Sequence, residues 1–273
     1  MRYVIAAATA ASVVAIAGAG QAQDRTWTGP YLGAQVGWGW QPKNQNESIL
    51  FDTNRDGAFD NTVNTTTGAN AFAPGFCNGA ARTATPAGGC EKDDDGFEFG
   101  ARAGYDWQIG AFVVGGVAEF SRTDVQDAAS AFSTTPAFYT MDRTLQQVGA
   151  VRARAGFAMP ETLIYATGGV ARGKIKHRFN TSNTVNTFPR VEDKWSNGYQ
   201  YGGGVERRVA TNLSLGLEYI YTQLDDDDFR VRAVGPAAAT NPFLLVNSGG
   251  TDFRRSEEDF ATHSVRMTMN YRF

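Results

Sequence analysis

The chain has 273 residues, with 25 Lys and Arg set against 28 Asp and Glu, and its formal net charge of −3 excludes a nucleic-acid binder, which would need a clustered basic surface. Glycine is abundant at 31 residues and aromatic residues reach 12%, which fits a sheet with a crowded interior and ring-bearing rims.

Residues 1–22 read as a cleaved secretory signal peptide, leaving 23–273 as one domain. Arg2 supplies a minimal positive start, residues 4–19 an apolar run, and Gly20, Gln21 and Ala22 small residues for signal peptidase, with cleavage after Ala22. The run is short for a membrane anchor, at the low end of about 17–25 residues, and lacks flanking stop-transfer charges. No other stretch is apolar enough to span as a helix.

The first alternating segment, 31–40, sets Leu32, Ala34, Val36, Trp38 and Trp40 on one face and Gly33, Gln35, Gly37 and Gly39 on the other. A long connection, about 41–95, follows. In it Asp52, Asn54, Asp56 and Asp60 fall at the first, third, fifth and ninth positions of a calcium-loop pattern, with Gly57 at the sixth for the sharp turn. The twelfth position is Val63 where a bidentate Glu belongs, so a full EF-hand is not supported. Asp93, Asp94 or Asp95 would have to complete a calcium shell, and the alternative is an Asx-rich solvated turn. Calcium here is the one cofactor the residues suggest. Cys77 and Cys90, in the same connection, are expected to form one disulfide in an oxidising compartment.

The second segment, 97–107, opposes Phe97, Phe99, Ala101, Ala103, Tyr105 and Trp107 to Glu98, Gly100, Arg102, Gly104 and Asp106. The third, about 111–121, shows Phe112, Val114, Ala118 and Phe120 against Gly115 and Glu119. In the fourth, 147–157, Val151, Ala153, Ala155 and Phe157 oppose Arg152 and Arg154. The fifth, 163 to about 173, has Ile164, Ala166 and Val170 as its apolar face. The sixth, 198 to about 208, alternates Tyr199, Tyr201, Gly203 and Val205 with Gln200, Gly202, Gly204 and Glu206. The seventh sets Leu213, Leu215, Leu217, Tyr219 and Tyr221 against Ser214, Gly216, Glu218 and Thr222. The eighth, 263–273, sets Val265, Met267, Met269, Tyr271 and Phe273 against Ser264, Arg266, Thr268, Asn270 and Arg272.

A soluble β-sandwich also alternates, but here short links (108–110, 158–162, about 209–212) and long polar ones strictly take turns. The outward rings also sort by height. Trp38, Trp40, Phe97, Phe99, Phe120, Tyr199, Tyr201, Tyr219 and Tyr221 make one girdle; Tyr105, Trp107, Phe112, Phe157, Tyr271 and Phe273 make the other. The predicted fold is therefore all-β: an eight-stranded antiparallel up-and-down transmembrane β-barrel with long extracellular loops and short periplasmic turns. Tyr271 and Phe273 serve as its C-terminal barrel signal.

Such a barrel has room inside for little beyond its own side chains. The inward set includes Glu98, Arg102, Glu119, Arg152, Arg154, Glu206, Glu218 and Arg266, so a Glu–Arg network is expected to plug the lumen. The alternative is a narrow gated pore or a small-ligand-binding, porin-like barrel. Residues 225–228, four aspartates, read as a solvated tip, and residues 243–246 (Phe-Leu-Leu-Val) as an apolar patch able to extend a strand or meet a partner. Catalysis is not expected. His263 and Ser264 are adjacent on a strand and face opposite sides. His177, among Lys174, Lys176 and Arg178, looks like a lipopolysaccharide contact.

The runs WTGPYLGAQVGWGW (27–40), YATGGVARG (165–173), GYQYGGGVERR (198–208), LSLGLEYIYTQL (213–224) and HSVRMTMNYRF (263–273) resemble the small outer-membrane β-barrel surface-antigen family of Gram-negative bacteria, the outer-membrane immunogenic type. The resemblance covers the strands and not the loops. It implies an OmpA-like barrel in the cell outer membrane with envelope-integrity and surface-antigen roles. Its implied partners are outer-membrane lipid and lipopolysaccharide, the barrel-assembly machinery through the C-terminal strand, and a host or cell-surface ligand through the loops. The long first loop with two cysteines departs from the family pattern.

Overall fold

The alternating segments fold as strands in the computed structural model, which describes residues 26–42, 47–189 and 192–273. The signal peptide expected over 1–22 lies outside these residues. In chain order the strands are β1 (Gly29–Trp40), β2 (Ile49–Asp52), β3 (Gly75–Asn78), β4 (Gly96–Ile109), β5 (Phe112–Arg122), β6 (Gln126–Ser133) and β7 (Ala137–Ala158). They continue as β8 (Thr162–Thr181), β9 (Lys194–Arg208), β10 (Leu213–Asp225), β11 (Arg230–Ala233), β12 (Thr251–Arg255) and β13 (Asp259–Arg272).

Antiparallel pairing runs β1–β4–β5–β7–β8–β9–β10–β13 and returns to β1, so the sheet closes on itself. The ring leaves no free strand edge along its wall. Period-two alternation drives it: Met267 is 65% exposed on the outer face while its neighbour Arg266 is 2% exposed. Glycine on the inner face makes room for large rings. A Cβ at Gly104 would lie 2.3 Å from the Tyr31 ring, and one at Gly204 would lie 2.9 Å from the Tyr165 hydroxyl. At one end of the ring the links are short; that between β4 and β5 turns on Gly110 with φ +62°.

At the other end the connections are not loose polar loops. β7 spans 22 residues and β8 spans 20, well past the segments 147–157 and 163–173 that alternation marks out. β6 pairs with the upper part of β7, and β3 with β6. A separate three-stranded sheet, β11–β12–β2, packs with them. Between these layers lies an apolar core that includes Ile49, Phe51, Phe72, Tyr139, Met141, Phe243 and Phe253. Its rings sit 4.4 Å apart for Phe51 and Phe72 and 5.3 Å apart for Phe243 and Phe253. Each such buried ring is worth about 1.5–3 kcal/mol relative to exposure. The ring therefore carries a folded cap.

Of the apolar patch at 243–246, Phe243 belongs to this core, while Leu245 and Val246 are exposed and no strand forms. Cys77 and Cys90 are joined in a disulfide with Cα atoms 6.5 Å apart, closing a lobe against β3 and β6.

Candidate functional site

The interior of the ring is stacked in layers, because residues on one strand face change character every few positions while still pointing inward. At the short-turn end Trp27 lies under Val113, Leu163 and Tyr165. The guanidiniums of Arg208 and Arg272 stand 4.5 Å and 5.5 Å from its ring centroid.

Above it is an ionic layer. Five buried arginines (102, 152, 154, 266, 272) meet five buried carboxylates (Glu98, Asp106, Glu119, Glu206, Glu218) among the described residues. Glu119 is the hub: Arg102, Arg152 and Arg266 approach it at 3.0, 2.7 and 2.6 Å. Glu218 accepts from Arg102 at 2.8 Å and from the Tyr165 hydroxyl at 3.0 Å. Arg266 also pairs with Glu98 at 2.9 Å. Nearer the short turns, Arg154 donates to Glu206 at 2.9 Å and to the Tyr31 hydroxyl at 3.0 Å, and Arg272 donates to Asp106 at 2.8 Å. The structure thus brings together all eight inward charges marked by alternation. It adds Asp106, Arg272 and Gln200, whose inward parity was legible, and Tyr31 and Tyr165, which polarity-based marking passes over.

Next comes an apolar layer of Val125, Leu145, Val148, Ala150, Ala171, Ile175, Leu224 and Phe260. Over that lies a second ionic cluster at the base of the cap, which no sequence pattern announced. Arg255 binds Glu47 through two nitrogens and reaches Asp127 at 2.7 Å. Arg143 bridges Asp127 at 2.6 Å and Asp226 at 3.3 Å. Burial alone would raise the Asp127 carboxyl, but Arg255 and Arg143 outweigh it and hold the group well below the usual carboxylate range.

Two expectations are corrected here. Asp226 is not part of a solvated tip; the chain turns back into the mouth and buries it between Arg143 and His177. His177 is not a surface contact. β8 keeps its alternation past residue 173, so His177 faces inward with Ile175, its Nε2 2.8 Å from Asp226 and its Nδ1 3.0 Å from the Glu192 carbonyl.

His263 and Ser264 face opposite sides. His263 joins the outer rings, 2.6 Å from the Tyr219 hydroxyl, and Ser264 is buried.

In the 52–60 turn the oxygens serve the loop itself. Asp52 accepts from Arg55 N at 2.6 Å and Gly57 N at 2.9 Å, Asp56 accepts from Ala58 N at 2.8 Å, and Asp60 accepts from Asn61 at 2.9 Å. Asn54 and Asp56 also bond each other, at 2.8 Å. No group of three or more His, Cys, Asp or Glu among the described residues is placed to hold a metal. These hydrogen bonds are those of an Asx turn. Millimolar calcium is expected to leave the unfolding midpoint unchanged relative to EDTA; a clear rise that Asp52→Asn abolishes would refute this.

A closed antiparallel ring, apolar outside with aromatic rims and ionic within, defines a membrane-spanning β-barrel: every wall hydrogen bond is internal and the outer face is compatible with hydrocarbon. The chain belongs to the outer membrane protein beta-barrel domain family, whose model matches residues 7–273. It is an integral protein of the outer membrane. It is 32% identical over 180 residues to the 31 kDa outer-membrane immunogenic protein of Brucella melitensis biotype 1, a match covering 65% of this chain and 67% of that one. It is 31% identical over 143 residues to a 22 kDa outer membrane protein of Rhizobium leguminosarum bv. viciae, covering 52% of this chain and 59% of the other. Among solved structures, OprG of Pseudomonas aeruginosa aligns with a TM-score of 0.49 at 10% identity, over 92% of this chain and all of that one.

Proposed function

We propose that the protein is a closed, eight-stranded surface barrel, formed by residues 23–273 after loss of a signal peptide, whose work is structural and presentational. The short turns face the periplasm, and the cap is held outside as a surface antigen contributing to envelope integrity. The stacked interior carries this reading. A conduction path would have to cross two ionic layers and two apolar ones, each buried, and the guanidinium–carboxylate contacts leave their charges paired rather than available to a passing ion. A plug of this kind also braces the wall.

Two readouts test it. In planar bilayers the refolded protein is expected to give no stable nanosiemens-scale steps. A deletion strain is expected to show detergent sensitivity and increased vesiculation. Stable conductance steps, or an unchanged envelope together with impaired solute uptake, would overturn the reading in favour of a pore.

A further inference from the structure

The outer face of the wall is not electrically uniform where its apolar belt ends. On β8 the outward positions Ile164, Ala166 and Val170 are followed, at the same parity, by Arg172, Lys174, Lys176 and Arg178. The alternate residues Ala171, Ile175 and His177 are buried, so the four cations share one face. Six residues separate the first from the last, a rise of about 20 Å along the strand.

The register fixes their level. Phe120 on β5, Gly149 on β7, Arg172 on β8 and Asn197 on β9 lie in one lateral row, so Arg172 stands beside the aromatic girdle. Arg122, Gln147, Lys174 and Trp195 form the row above it. Arg172 also lies 5.7 Å from the centroid of the half-exposed Trp195 ring.

Two carboxylates belong to the same patch. Asp193 lies 3.5 Å from Lys174, with both side chains about one-third exposed, and Asp142 is Arg178's neighbour across β7. Among the described residues no ion pair uses Arg122, Arg172, Lys176 or Arg178. Five cations against two anions leave this wall positive.

Two and three strands further round the ring, on β10 and β13, the sign reverses. Above Tyr221 on β10 and His263 on β13, the outward positions are Gln223, Asp225, Ala261 and Asp259, with Asp225 and Asp259 directly paired in register. A surface selected only for solubility would mix the two signs; here the cations gather on β8 and the paired carboxylates on β10 and β13.

We propose that Arg122, Arg172, Lys174, Lys176 and Arg178 form a docking surface for the phosphorylated saccharide headgroup of lipopolysaccharide in the surrounding leaflet. This rests on the outer-membrane reading of the barrel. Its acyl chains would lie against Val170 and Ala166, and its phosphates would be met in succession by the column of cations. A stem that packs on the apolar belt and a head that pairs with phosphate make long basic side chains suited to this level.

The test uses the mature chain refolded into phosphatidylcholine vesicles and titrated with purified lipopolysaccharide, with the same material dephosphorylated, and with phosphatidylglycerol. Wild type is expected to bind intact lipopolysaccharide in a salt-sensitive way. Lys174→Gln with Lys176→Gln is expected to weaken binding on the order of fivefold per cation removed. Asp225→Asn with Asp259→Asn, on β10 and β13, is expected not to weaken it. Equal affinity of wild type and the lysine variant, or equal binding of the dephosphorylated glycolipid or of phosphatidylglycerol, would overturn the proposal. Failure of wild type to insert into phosphatidylcholine at all would instead overturn the barrel reading beneath it. The lysine side chains touch neither the lumen nor the cap core, so the variant is expected to fold, and its unfolding midpoint without added lipid verifies that.

Discussion

Glu119→Ala is expected to lower the stability of the folded barrel by about 3–5 kcal/mol, the cost of removing one partner from a buried ionic cluster. The size follows from the geometry. Glu119 is the shared acceptor of Arg102, Arg152 and Arg266, so its loss leaves three buried guanidiniums facing two carboxylates, Glu98 and Glu218. Glu218 still faces Arg102 and Arg152, but it cannot also replace the contact at Arg266, from which it is 4.0 Å away. Urea unfolding in detergent micelles, followed by tryptophan fluorescence, measures the effect. Glu161→Ala at a short turn, where the pair with Arg207 is long and exposed, should change stability by no more than about 0.5 kcal/mol. Equal midpoints for the two variants would show that the network contributes nothing specific.

Arg255→Met should detach the cap while leaving the ring folded. Its guanidinium is the joint between Glu47 of the first connection and Asp127 of β6, and both carboxylates would be left buried beside one remaining arginine. The loss is again about 3–5 kcal/mol, now local to the cap. Amide exchange, corrected for the intrinsic rate, should accelerate at β2 and β12 and stay slow in β4 and β5.

The same cluster gives an acid limit. Asp127 is depressed in the folded state from an unfolded value of about 3.9, so its contribution is complete above roughly pH 4 and lost as the pH falls below that. Wild-type cap protection should therefore drop below pH 4, and the Arg255→Met variant should lack most of that step. Unaltered cap exchange in the variant at pH 7 would rule out the joint.

The ring was readable in the chain because lipid and lumen impose opposite demands on alternate residues. Val151 at 61% exposure beside Arg152 at 1% is that contrast in one dipeptide. The cap was not readable for the same physical reason turned round. β6 is covered on both faces, with six successive residues from Asp127 to Phe132 buried, so no alternation exists to detect. Its Ala and Ser content looks like a polar loop until the sheet beneath it is known. Asp127 and Arg143 are invisible as partners for that reason, since their pairing depends on β6 lying against β7. His177 was within reach: carrying the β8 parity four residues further would have turned it inward and left Lys174, Lys176 and Arg178 outside. The disulfide followed from compartment and cysteine number alone.

The cap draws β2 from the connection after β1 and β12 from the connection before β13, and β1 and β13 are the two strands whose pairing shuts the ring. Glu47 and Arg255, 208 residues apart, meet across the same boundary. The β2–β12 ladder is thus a second latch on the closing seam, set by chain order to engage only when both termini have arrived. An assembled cap therefore ties together the same two ends of the strand order that β1 and β13 join in the wall.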